Sequence, residues 1–93
     1  MNINLNELRV LHLPKSHRFE IRVDGLVAEM TYTVNGDTIT FWHTGVPSEL
    51  EGQGVGRKLV MAGLDYARSN GLKIKSQCSF VSDYLHRHPE FQI

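Results

Sequence analysis

The sequence holds one cysteine among 93 residues, so no intrachain disulfide can close and the fold must stand on an apolar core. A lone thiol fits a reducing compartment, and the localisation expected from it is cytoplasmic. Charge of one sign is missing too: ten Lys plus Arg stand against ten Asp plus Glu, scattered along the chain. That balance leaves no electrostatic footprint for nucleic acid or for an anionic membrane surface. No apolar run approaches the ~20 residues of a membrane span. Met1 to Leu11 has neither the basic n-region nor the continuous apolar stretch of a leader. Repeats, low-complexity tracts and linkers are also lacking, and a chain of 93 residues is too short for two cores. The expected organisation is a single domain over residues 1–93.

What is present alternates clearly. From Arg18 to Asp24, Phe19, Ile21 and Val23 point one way and Arg18, Glu20 and Arg22 the other, the pattern of a half-buried strand. Asp24-Gly25 signals a hairpin turn, and Leu26, Ala28, Met30, Tyr32 and Val34 then share one face of a second strand. Asn35-Gly36-Asp37 signals another turn. It leads to a third strand from Thr38 to Val46, in which Ile39, Phe41 and His43 are expected on one face and Thr40, Trp42 and Thr44 on the other. Pro47 ends that strand and leaves an edge unpaired. The period then changes. Leu59, Val60, Gly63, Leu64 and Ala67 recur at helical spacing within a helix from Val55 to Asn70, stopped by Asn70-Gly71. Leu72 to Cys78 reads as a further strand, parallel to its neighbour because a helix precedes it. Phe80 to Arg87 reads as a short helix with Val81, Tyr84 and Leu85 as its apolar set, ended by Pro89. The expected class is therefore α+β.

Between the third strand and the helix lies Glu49-Leu50-Glu51-Gly52-Gln53-Gly54-Val55-Gly56-Arg57-Lys58-Leu59, with three alternate glycines. Such glycines let backbone N–H groups converge without Cβ obstruction, and a helix N-terminus adds about half a positive charge, which suits a phosphate or diphosphate. A Walker loop would need a hydroxyl after its lysine, and Leu59 supplies none. A dinucleotide fingerprint would need a glycine at Leu59 and a longer parallel sheet. A glycine-rich turn without a ligand stays open as an alternative.

These residues resemble a known family. Val46-Pro47 followed by Gly52-Gln53-Gly54-Val55-Gly56 and an amphipathic helix is similar to the acetyl-CoA signature of GNAT-type N-acetyltransferases, Q/R-x-x-G-x-G/A, with Gly54 and Gly56 matching and Glu51 standing where Gln or Arg is usual. His43-Thr44, Cys78-Ser79-Phe80-Val81, Tyr84-Leu85 and His88-Pro89-Glu90-Phe91 extend the resemblance to the minimal single-domain members, over about Phe19 to Phe91. It implies a GNAT-like fold whose strands ending at Val46 and near Cys78 splay apart, with acetyl-CoA as co-substrate and an amine as acceptor. The cofactor set it implies is Thr44, Val46, Gln53, Gly54, Val55, Gly56, Arg57 and Lys58, the last two competing with a simply solvated helical turn. A non-catalytic acetyl-CoA or CoA-binding module is the competing function, because so small a chain leaves little surface for an acceptor pocket.

Three candidate reacting groups follow from that resemblance. An amine must be neutral to attack a thioester, and imidazole, titrating near ~6.5, can take its proton, which points to His43; a hydrogen-bonded core histidine is the alternative. Cys78 is a candidate acetyl carrier if a neighbour such as His43, or the helix that follows, lowers its pKa; otherwise it is a small buried hydrophobe. Tyr84 is a candidate acid for the leaving thiolate, or a packing residue beside Val81 and Leu85. His12, His17, His86 and His88 lack the spacing of a zinc set, so no metal is expected.

Overall fold

A computed structural model describes residues 3–91. Its strands are β1 (Leu11–Leu13), β2 (Arg18–Val23), β3 (Leu26–Asn35), β4 (Thr38–Gly45) and β5 (Lys73–Ser76), with helices α1 (Val55–Ser69) and α2 (Ser79–Arg87). The five strands form one sheet in the order β1-β2-β3-β4-β5, antiparallel except for the parallel β4–β5 pair. The turns that the glycines signalled are present: Asp24 and Gly25 both take positive φ, as does Gly36.

Alternation becomes two faces. Phe19, Ile21, Ala28, Met30, Tyr32, Ile39 and Phe41 are buried and meet α1, which contributes Leu59, Val60, Leu64 and Ala67, each without exposed surface. Each of the larger of these side chains is worth ~1.5–3 kcal/mol of burial. The other face carries charge instead. Arg18 bridges Glu20 and Glu29, and Arg22 reaches Glu20 at 2.8 Å.

Two expectations need correction. β1 was not expected: it is only three residues long, and the 3-10 turn Pro14–Ser16 and left-handed His17 join it to β2. Alternation needs more residues than that to show. More important, the register slips between Thr31 and Tyr32, which pair with His43 and Phe41, so Trp42 is an extra residue in β4. The expected sharing of one face by Ile39, Phe41 and His43 therefore fails. Thr44 pairs with the buried Met30 and rejoins the inner face, whereas His43 is exposed on the outer face, on the side of Trp42, whose indole donates to Thr33 Oγ1 at 2.8 Å.

The helix lies against the sheet at Gly63, where a Cβ would meet Met30 Cε and stand 2.9 Å from Phe41 Cε1. Gly63→Val gains only a few tenths of a kcal/mol in helix propensity and overpacks the core, so a net loss of about 2 kcal/mol is expected. Urea unfolding followed by circular dichroism checks it; a midpoint equal to that of the wild type would contradict the contact.

Candidate active site

β4 and β5 stay paired only as far as Phe41 and Ser76, with one last rung from the Gln77 amide to the Phe41 carbonyl at 2.8 Å. Beyond it the bulge turns β4 away and the chain after Gln77 enters α2, so the β5-side edge of β4 is open from Trp42 onward. Cys78, the N-cap of α2, lies on the inner side of that opening. It is buried, and its thiol donates to Thr44 Oγ1 at 3.5 Å. Consecutive strand residues face opposite ways. Cys78 therefore meets Thr44, and His43, the expected activator of its thiol, is on the other face of β4.

Beyond β4, the chain passes through a 3-10 turn at Ser48–Leu50 that anchors the buried Leu50, then through Gly52 at φ 76 and Gly54 at φ 87. Gly54 is the N-cap of α1 and offers no side chain, and the first bond of the helix is Lys58 N–H to the Gly54 carbonyl at 3.0 Å. The N–H groups of Val55, Gly56 and Arg57 are thus left without helical or capping partners among the described residues, the arrangement that suits an anion. The end of β4 abuts this turn, since a Cβ on Gly56 would stand 3.3 Å from Val46 Cγ2. Gln53 turns its side-chain amide to the Glu49 carbonyl at 3.3 Å, and Glu51 is exposed.

Of the clefts that adjoin the loop, two are shared with Phe80. One of about 230 Å³ is lined by Val46, Leu50, the loop from Glu51 and Phe80. The other, of about 370 Å³, is lined by Arg57, Phe80, Asp83, Tyr84, Arg87 and His88. Phe80 and Arg57 belong to both. Phe80 was not expected at the site; its signal was a large aromatic in the first turn of an amphipathic helix, off the apolar stripe. It is 45% exposed, and its ring lies over Gly56, where a Cβ would come within 2.8 Å of Phe80 Cζ. Gly56 thus has a packing role inside the chain, beside any role in admitting a ligand.

The two basic residues of the helix start part company. Arg57 is exposed and has no ion-pair partner among the described residues. Lys58 is committed: its ammonium donates to the Leu5 and Leu8 carbonyls at 2.5 and 2.6 Å, pinning the N-terminal 3-10 turn across α1. That engagement sets Lys58 apart from Arg57, which lines the clefts beside Phe80. Tyr84 is half-buried and stacks on His88 at 4.3 Å in the larger cleft, and its hydroxyl has no hydrogen-bond partner among the described residues. Of the remaining histidines, His12 stacks on Phe19 at 4.2 Å and bonds the Tyr32 hydroxyl at 2.6 Å, and burial lowers its pKa. Among the described residues no group of three His, Cys, Asp or Glu side chains is placed to hold a metal ion, and no helix is long and apolar enough to cross a membrane.

With this geometry in place, the comparisons with known proteins are direct. The profile of the GCN5-related N-acetyl-transferase family matches residues 18–93. Among solved structures, the NMR structure of a GCN5-like protein from Staphylococcus aureus, a candidate N-acetyltransferase, superposes with a TM-score of 0.71 at 38% identity, covering 94% of this chain and 86% of that one. The mixed sheet and its two helices are those of that fold.

The contact over Gly56 yields a measurable coupling. Gly56→Ala is expected to lower stability by about 1 kcal/mol by displacing the Phe80 ring, and most of that loss is expected to disappear in a Phe80→Ala background, since residues in contact couple by ~0.5–3 kcal/mol. A four-variant cycle by urea unfolding checks it. Additive losses would mean the two do not touch.

Proposed function

The chain belongs to the GCN5-related N-acetyltransferase family, and on that footing we propose that it moves an acetyl group from acetyl-CoA directly to an amine, with His43 accepting the amine's proton. The observation that carries the reading is the meeting of three uncapped helix N–H groups, at Val55, Gly56 and Arg57, with the strand edge that β4 leaves open.

The residues suit the donor. The N–H groups of the loop and the unpaired Arg57 guanidinium would take its diphosphate, which needs no side chain at Glu51. The β4 edge at Thr44 and Val46 would take the amide-bearing arm. When bound, acetyl-CoA supplies an activated thioester. The amine nitrogen forms the new C–N bond, the C–S bond breaks with its electron pair going to sulfur, and the imidazole of His43 removes the proton from nitrogen. The Tyr84 hydroxyl, which has no hydrogen-bond partner among the described residues, is the proposed donor to the departing thiolate.

Direct transfer is preferred to an acetyl-Cys78 intermediate on geometric grounds. Thiolate attack needs a base, and the group that Cys78 reaches is the Thr44 hydroxyl, while His43 turns to the opposite face.

Incubation with acetyl-CoA, CoA and NAD in a thermal-shift scan tests the ligand: a rise in Tm that follows RT ln(1 + [L]/Kd) is expected for the two CoA species alone. Release of CoA over a panel of amines and peptides then tests the chemistry, and binding without turnover would favour a non-catalytic CoA module. His43→Ala is expected to lower kcat by ~10²–10⁴ with acetyl-CoA affinity kept. Cys78→Ala is expected to stay active, and intact mass after incubation with acetyl-CoA alone to show no added acetyl group. A stoichiometric acetyl increment on Cys78 that an amine removes would overturn the direct route.

A further inference from the structure

Gly45 closes β4, and nothing in the backbone asks for glycine there. Unlike Gly25, Gly36, Gly52, Gly54 and Gly71, it does not have positive φ. It pairs in register with Glu29, so it lies within a regular ladder where glycine weakens a strand. Nor does the core require it, since a Cβ at this position would point to the outer face with Glu29 and meet no backbone. What it would meet is one ring. The Cβ would stand 3.1 Å from His43 Nε2 and 3.8 Å from His43 Cε1, with Glu29 Cγ at 3.8 Å on its other side.

His43 and Gly45 are two apart on the same strand face, so the imidazole leans along β4 and lies on the surface that the missing side chain leaves. Its Nε2 edge is thereby directed toward the end of the strand, where β4 is open on the β5 side. Glu29 borders the place and is itself held by Arg18, which also bonds Glu20. No carboxylate is within ion-pair distance of His43 among the described residues. The ring's direction is therefore set by packing on Gly45 rather than by a charged partner.

We infer that Gly45 is a positioning residue for the proton acceptor: by presenting no side chain it lets His43 lie along β4 with Nε2 toward the end of the strand, and any side chain at 45 turns the imidazole away. The inference rests on the reading of His43 as the base. It also accounts for a glycine that neither turn geometry nor core packing explains.

The test uses Gly45→Ala, which adds one methyl group on an exposed face and is expected to unfold in urea at a midpoint no lower than that of the wild type. In the wild type an NOE is expected between His43 Hε1 and the Gly45 Hα protons, and a changed His43 side-chain rotamer is expected in Gly45→Ala. With acetyl-CoA and a turned-over amine, Gly45→Ala is expected to lose about 10-fold in kcat with KM for acetyl-CoA unchanged. The same substitution in a His43→Ala background is expected to cost nothing further. An equal loss in that background, or a missing NOE, overturns the inference, because Gly45 would then act through the substrate or not at all. Full activity of His43→Ala by itself overturns the base reading and the role of Gly45 together, a different signature from the two above.

Discussion

One extra residue in β4 governs the working end of this molecule. Up to Phe41, β4 is an ordinary central strand, paired on both sides and alternating between core and surface. Trp42 has no partner in that register, and inserting it does two things at once. It bends the strand, as bulges do, so that pairing with β5 stops at Phe41. It also reverses the alternation, putting Thr44 inside against Met30 and leaving His43 outside opposite Thr31. The open edge, the inward contact of Thr44 with Cys78 and the outward imidazole are consequences of a single register slip. An unbulged strand of the same sequence would bury His43 in the core and turn Thr44 to solvent.

The second constraint is how closely α1 can approach that strand. Gly63 sits over Met30 and Phe41, and Gly56 sits under the Phe80 ring and beside Val46. Seven residues apart, they share one face of the helix and remove the side chains that would hold it off the sheet at both ends of the contact. Close approach brings the first turn of α1, with its unpaired N–H groups, to the point where β4 opens. Lys58 then fixes the turn from behind by holding the Leu5 and Leu8 carbonyls, two charge-assisted bonds in a part-buried setting. The first turn of α1 is thus supported by packing on one side and by an ammonium on the other, and Arg57 is left exposed at the clefts.

Much of this architecture was legible in the sequence because it is written in local patterns. Asp24-Gly25 and Asn35-Gly36 name their turns, the period of Leu59 to Ala67 names a helix, and Pro47 and Pro89 mark stops. The motif from Gly52 to Gly56 placed the loop correctly between strand and helix. The bulge was not legible, because Trp42 and His43 are both acceptable on an exposed face and alternation cannot count a residue that has no partner. The purpose of individual glycines was not legible either. Gly54 is required by its φ, Gly56 by the Phe80 ring and Gly63 by Met30 and the Phe41 ring, while Gly45 lies beside the His43 ring, yet in sequence all four are the same letter. The tie of Lys58 to the N-terminal turn was not legible for a related reason: what engages its ammonium is a pair of carbonyls about fifty positions earlier, and no local rule reaches that far.

The outer face of the sheet has to remain uncovered if His43 is to meet an amine. One face of an antiparallel sheet can stay solvated, and the charges on this one pair with each other. Glu20 is 7% exposed although it points away from the helices, because Arg18 and Arg22 fold over it. The contribution of these pairs is order: the ladder runs from Arg22 through Glu20 and Arg18 to Glu29, and Glu29 borders Gly45 and the His43 ring. A helix laid over this face would bury those charges at a cost that their mutual attraction does not recover. The same residues that keep the face open to water therefore also reach to the border of the His43 ring.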